Sequence, residues 1–465
     1  MTAPGTLERL ATWTLKVRAD DIPERAVTQA KLLLLDTIGC GLAALNDHSA
    51  QAVLRMIGSA GGAPQCAVIG HTLRTSAANA VLANGALVRV LDLNDYVIAN
   101  AAEVGGHPSD NIPVALAAGE LSGQSGREII AAVVLAYDLD QHVKALMGDI
   151  SAWDGVSASG AVGSAIAGRL MGLDRRQLAH AMALSLARSP TFSAVRRGDL
   201  SSAKSLANAL VAQNAMQAAL LAREDVTGPL TLLDQATVQK SVFPKVASLT
   251  EANAALSAGS AVMGAHIKVY PCLVTGQSVV AAGLAMHRAV NGQVDRLSKI
   301  RVLMPDLAML RRQMADPARI NPASHEAADH SFNFLAAVSL LDGSFGLAQY
   351  DGERWNDARV RALMSRIEIA TDPDLDRSGE GGFPCAIRAT GTDGQHYAVE
   401  IAATPGFSRS GLDADLVIAK FQSLVAAHLT RDRAAQMIEA VMALDKSPSC
   451  GALVEAMSGR AGSGR

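Results

Sequence analysis

The stretch Asn79-Ala80-Val81-Leu82-Ala83-Asn84-Gly85-Ala86-Leu87, then Leu91-Asp92-Leu93-Asn94-Asp95 and Gly106-His107-Pro108-Ser109, decides how this chain is read. The first part has the composition of a helix whose small side chains let neighbours pack closely. The second and third place two carboxylates and an imidazole at a break between helices. Such groups, held together with room to move, are the raw material of proton transfer at neutral pH. The apolar run Asn111 to Leu121 predicts the next helix, with Ser109 or Asp110 as its N-cap. A helix N-terminus there would offer oriented N–H groups to a substrate carboxylate. The alternative is an ordinary capped loop, in which Asp and His serve nearby backbone groups.

Outward from this point the first half reads as successive helices. Ala26 to Leu45, Ser76 to Val90, Ile112 to Leu121, Glu128 to Leu146 and Gly160 to Leu170 have helical composition or spacing. Gly172-Leu173-Asp174 stops one helix and caps another over Arg175 to Leu186. Ser201 or Ser202 is the expected cap of Ala203 to Ala222, which carries Lys204 in its first turn. No sustained β-alternation interrupts this half.

Beyond Lys268 the pattern changes. Ile300 to Met304 and Arg366 to Ile369 read as strands rich in β-branched residues. Cys385 to Ala389 and Tyr397 to Ile401 flank the turn signal Thr392-Asp393-Gly394. Helices remain at Gln277 to Ala289 and Ser331 to Leu341, and the chain returns to helix from Asp413 to Leu444. The expected fold is therefore mainly α with a smaller α+β domain. Residues 1–266 start a large helical domain, 267–408 form an inserted, lid-like α+β domain, 409–457 return to the helical domain, and 458–465 form a disordered tail.

Composition narrows the function classes. A formal net charge of −3 gives no reason to expect nucleic acid or an anionic membrane surface. Aromatic residues at 3% favour close-packed helices over a sandwich or barrel. The apolar run Val27 to Leu45 is interrupted by Lys31 and Asp36, against a membrane span, and Met1 to Glu24 has no signal-peptide core. Cys40, Cys66, Cys272, Cys385 and Cys450 are far apart, as expected of reduced thiols in a cytoplasmic protein. Neither a nucleotide-binding glycine loop nor a His-x-x-x-His or Cys-x-x-Cys ligand pair is present, so neither a cofactor nor a metal is implied.

Several landmarks occur in a specific order. They are Leu35-Asp36-Thr37-Ile38-Gly39-Cys40-Gly41, Ala83-Asn84-Gly85, the Asp92 to His107 segment, Ser202-Ala203-Lys204 and Lys268-Val269-Tyr270-Pro271-Cys272. Glu326-Ala327-Ala328-Asp329-His330-Ser331, Leu341-Asp342-Gly343 and Lys420-Phe421 complete the series. In this order the chain resembles, over nearly its whole length, the MmgE/PrpD family of 2-methylcitrate dehydratases, cis-aconitate decarboxylases and an iminodisuccinate epimerase. The resemblance implies a cytoplasmic homodimer with its active site in the cleft between the two domains. It implies a metal-independent, cofactor-independent lyase acting on a small polycarboxylate by proton abstraction next to a carboxylate. A 2-methylcitrate dehydratase-like hydro-lyase of propionate catabolism is the leading expectation. An epimerase or isomerase of a related dicarboxylate, and a non-catalytic binding relative, are the alternatives.

On this resemblance His107 is the principal acid/base, and Asp92 orients it or supplies the second acid/base group. Lys204 and Lys268 bind substrate carboxylates, and one of them stabilises the enolate-like state. Lys204 opposes the dipole of its own helix and Lys268 sits in an apolar segment, so each is otherwise a solvated or snorkelling lysine. Asp95, Ser109, Arg197, Tyr270, Asp329, His330 and Ser331 are candidates for substrate binding. The chain departs from the family at Asn94 (a second Asp in many members), at Trp153 to Ser157 and Leu273 (no histidine), and at Phe334 (no tyrosine hydroxyl). These losses argue against cis-aconitate decarboxylation and favour a smaller or less charged substrate.

Overall fold

The computed structural model describes residues 4–99, 103–147, 152–198, 200–245, 258–378, 382–408 and 410–459. The fold is mainly α with a smaller α+β part. Apolar side chains gather into two large clusters. One runs from Leu7 to Ile267 and is completed by Val417 to Met457. The other runs from Cys272 to Ala389 and takes in Tyr96 from the first half.

The helix Glu24–Ala43 lies inside the first cluster, against Ala77–Arg89, Gly126–Met147 and Ala414–Val425. It has the length and hydropathy of a membrane span, but 89% of its apolar window is buried by the rest of the chain. Its two buried charged residues, Lys31 and Asp36, are both paired. Lys31 Nζ reaches Asp445 at 2.8 Å and the Met442 carbonyl at 3.0 Å. Asp36, fully buried, meets Lys420 Nζ at 2.6 Å. Lys420 also donates to the Leu93 carbonyl at 2.9 Å, so this pair pins the Leu91–Asp95 turn to the returning C-terminal helix.

The Ala83-Asn84-Gly85 landmark also has a packing explanation. A Cβ on Gly85 would stand 3.0 Å from the Ala209 Cβ, so only glycine lets Ala77–Arg89 and Ala203–Arg223 approach this closely. The Asn84 side chain accepts from Ile69 N at 2.9 Å and donates to the Ala67 carbonyl at 3.1 Å, satisfying buried backbone groups.

In the α+β part, Ile367–Thr371 pairs parallel with Leu297–Met304, which pairs antiparallel with Cys385–Gly391, and that strand with His396–Ile401. The last two strands are joined through Gly394, whose φ of +81° suits the expected hairpin turn. The parallel pair needs a long crossover, supplied by Phe332–Asp342 and Ala358–Met364.

Three local expectations are corrected. First, the Asp92 to His107 segment is not a bare loop. Tyr96–Ala99 and Glu103–Gly106 form an antiparallel hairpin extended by Ala265–His266. Val97 and Ile98 straddle a register shift there, which hides the period-2 signal. Second, neither Ser109 nor Asp110 caps the following helix. Both lie in a 3₁₀ turn, Pro108–Asn111, and their side chains bond elsewhere. Third, Ser202 sits at the N-cap of Ala203–Arg223 without a side-chain cap bond. Of the expected tail, residues 460–465 lie outside the described residues, while Ser458 bridges to Ile69.

The buried Asp36–Lys420 pair predicts a specific stability effect. Lys420→Met leaves an uncompensated carboxylate and should cost about 3–5 kcal/mol in urea unfolding, whereas adding Asp36→Asn should recover most of that loss.

Candidate active site

Helix Ala77–Arg89 delivers Arg89 in its last turn, and the chain then turns sharply at Asp92, whose φ of +47° lies in the left-handed region. Asp92 is buried, and four basic side chains converge on its carboxylate. Arg89 Nη1 and Lys268 Nζ meet Oδ1, the lysine at 2.7 Å, while Lys204 Nζ at 3.7 Å and His330 Nε2 at 3.6 Å face Oδ2. Lys268 also donates to the Asp92 carbonyl at 2.7 Å, locking the turn itself. Burial pushes the Asp92 pKa up, but Lys268, Arg89 and Lys204 outweigh it and hold the carboxyl well below its ordinary range.

The α+β side supplies the other half. Gln277 Oε1 accepts from Val269 N and Tyr270 N, both at 2.9 Å, and Nε2 donates to the Tyr270 carbonyl at 2.8 Å. This clamp fixes the extended segment that carries Lys268. Asp329 and His330 sit in the turn before Phe332–Asp342. Ser331 Oγ caps that helix at Phe334 N, 3.2 Å away, so this hydroxyl serves the fold. Lys204 lies 3.4 Å from both Asp329 oxygens and 3.2 Å from His330 Nδ1. Burial, with Lys204 beside it, lowers the His330 pKa to about 4, so this ring is neutral at pH 7.

His107 follows the hairpin, one residue after Gly106. That glycine has a φ of +109°, and a Cβ there would collide with Lys144 Nζ. Nδ1 of His107 contacts the backbone carbonyl of Asp95. A carbonyl only accepts, so Nδ1 carries the proton and Nε2 is the basic nitrogen. Burial, then Arg89 and Lys268, hold the His107 pKa well below its usual value. Asp92 makes no hydrogen bond to His107; the residue that orients the ring is Asp95, through its main chain. The Asp95 carboxyl turns away to Tyr137 Oη at 2.6 Å. Burial raises its pKa to about 7, opposed by the hydroxyls of Ser109 and Tyr137.

These groups border a cavity of about 910 Å³. Arg89, Asp92, His107 and Asp110 line it from the helical part, and Lys268, Arg312, Arg319 and His330 from the α+β part. Lys204 and Asp329 stand just behind, in contact with the lining. Ser109 accepts from Asn94 Nδ2 at 2.9 Å, Tyr270 packs edge-on against Phe345, and neither lines the cavity. Arg197 is exposed outside the lining, whereas its neighbour Arg196 lines it and pairs with Asp154 at 2.5 Å.

Asn94 explains one departure. Its Nδ2 also donates to Asp110 Oδ1 at 2.9 Å while Oδ1 accepts from Arg89 at 3.2 Å. An aspartate there would set a carboxylate against Asp110. The expected shortage of donors is not found: Lys144, Arg196, Arg312 and Arg319 line the cavity from positions that no motif marks. Arg89 did carry a signal, standing three residues before Asp92 at a helix end. Asp92, Asp329 and His330 offer three ligand atoms within 4.8 Å of one another. Lys204, Lys268 and Arg89 already neutralise those carboxylates, so the cluster does not suit a divalent cation.

With this geometry in place, two family models match in tandem: the MmgE/PrpD N-terminal domain over residues 8–250 and the MmgE/PrpD C-terminal domain over 270–446. The chain belongs to the MmgE/PrpD family. Similar proteins include a 2-methylcitrate dehydratase of Cupriavidus necator, 27% identical over 76% of this chain and 75% of its own length. A 2-methylcitrate dehydratase of Salmonella typhimurium is 25% identical over 83% of each. The cis-aconitate decarboxylase of Homo sapiens is 22% identical over 97% of this chain and 94% of its own. At the level of the family these are lyases.

The Asp95 proton gives a pH prediction with a definite sign. The folded pKa, about 7, lies above the ordinary 3.8, so its stabilisation is full below pH 4 and is lost as pH rises through 7. Asp95→Asn should therefore flatten the decline in stability between pH 4 and 8, measured by urea unfolding at stepped pH.

Proposed function

We propose that this protein is a cofactor-independent lyase that abstracts a proton next to a carboxylate of a small polycarboxylate. A 2-methylcitrate dehydratase-like hydro-lyase of propionate catabolism is the reading we favour. The observation that carries it is His107, a neutral imidazole whose Nδ1 is held by a carbonyl, leaving Nε2 as the base of a ring that lines the cavity.

In this reading His107 Nε2 takes the α-proton. Negative charge then builds on the substrate carboxylate, beside the cations of the Asp92 cluster, in a site that excludes much of the solvent. Loss of hydroxide needs a proton donor. Burial lowers the Lys268 pKa, making its ammonium a stronger acid than a solvated lysine and the donor we assign. Asp92 keeps Lys268 in place rather than reacting itself. Of the remaining candidates, His330 lines the cavity with Lys204 and Asp329 behind it, the Asp95 and Ser109 side chains bond Tyr137 and Asn94, and Ser331 caps a helix.

One observation favours a second reading. His107 and His330 are both neutral and line the same cavity, as an epimerase using two bases would need. The same proposal carries a cytoplasmic homodimer. Leu210 and Leu221, three turns apart on Ala203–Arg223, are exposed apolar groups suited to a partner copy.

Deuterium incorporation in heavy water, followed by NMR over citrate-like acids, hydroxy-diacids and amino-diacids, tests the chemistry. Exchange with water loss supports the hydro-lyase, and exchange with retention of the group supports the epimerase. His107→Gln should lower either rate by about 10²–10⁴. No exchange on any acid tested would count against both.

A further inference from the structure

We infer that Arg319, with Arg312 beside it, forms a carboxylate subsite on the α+β wall of the cavity. It would hold a second carboxylate of the substrate, away from the reacting carbon. This rests on the polycarboxylate reading above.

The argument starts from charge balance. Around Asp92, the cations Arg89, Lys204 and Lys268 face the carboxylates Asp92, Asp110 and Asp329. Three stand against three, and the histidines are neutral. The cluster therefore carries no uncompensated positive charge with which to hold a second carboxylate.

Arg319 has what the cluster lacks. It lies in the short helix Pro317–Ile320, its side chain is only 12% exposed, and it lines the cavity. Its one ion pair among the described residues runs from Nε to Asp316 Oδ2 at 3.3 Å. Nη1 is buried and makes no hydrogen bond among the described residues. A buried guanidinium N–H without an acceptor is costly, and a bound carboxylate removes that cost. The guanidinium stays charged and offers a planar fork that matches a carboxylate. It shares the cavity lining with Asp92 and His330. Arg312, on Ala308–Met314, lines the same cavity and has no ion-pair partner among the described residues.

The consequence concerns specificity. A substrate with two separated carboxylates would be gripped at both walls of the cleft, whereas a monocarboxylate would engage only the Asp92 cluster. Arg319 would act by binding and leave the chemical step to His107.

The test compares the parent protein with Arg319→Met and Arg319→Lys. Thermal melting is followed against citrate, a tricarboxylate, and against acetate, a monocarboxylate. Arg319→Met should weaken citrate binding at least tenfold and leave the acetate response unchanged, with Arg319→Lys falling between. On whichever polycarboxylate the parent turns over, Arg319→Met should raise KM at least tenfold and keep kcat within threefold. An unchanged citrate response in folded Arg319→Met would overturn the subsite, as would the lack of any citrate response in the parent. Citrate binding that depends on Arg319, without turnover of any acid by the parent, would sink the lyase reading and leave the subsite standing.

Discussion

A single buried carboxylate, Asp92, organises this site. The Arg89, Lys204 and Lys268 side chains, from three separate stretches of sequence, converge on it, and each would be costly to bury alone. Because the charges compensate one another, burial becomes tolerable only when all the elements are in place together. The strained backbone at Asp92 follows from the same demand: the turn must present both its carboxylate and its carbonyl to Lys268.

Support for this cluster comes from ordinary packing rather than from chemistry. Gly85 lets two helices close up, so that the helix carrying Lys204 lies beside the one that ends at Arg89. Asp36 and Lys420 tie the turn to the C-terminal helix, and Gln277 clamps the Lys268 segment. Ser331 caps a helix whose preceding turn carries Asp329 and His330. Landmarks that look catalytic in sequence thus divide into groups that meet the cavity and groups that hold those in position.

The cavity itself lies where the helical and α+β parts meet, so its walls differ in kind. The helical wall offers His107, pre-set by a main-chain carbonyl, with Asp110 and Arg89 beside it. The α+β wall offers Lys268 and His330, then arginines on short helices. Proton transfer needs rigid geometry on one side, while anion recognition tolerates the longer reach of arginine.

The chain's periodicity by itself determined the helices Ile112–Leu121, Arg175–Leu186 and Gln277–Ala289 and the strands near 300, 367, 385 and 397, because these carry their own pattern. The ordered landmarks and the resemblance they carry, not the periodicity, drew attention to Asp92, His107, Lys204, Lys268, Asp329 and His330, which the fold brings to one place or beside it. The hairpin before His107 escaped notice because a bulge breaks its alternation. Only the tertiary structure decided that the Asp95 carbonyl, not Asp92, orients His107, that Arg196 and not Arg197 meets the cavity, and that Arg319 reaches it at all. The reason is physical: periodicity reports which face of an element is apolar, whereas a hydrogen-bond partner or a free guanidinium depends on distances between segments far apart in the chain.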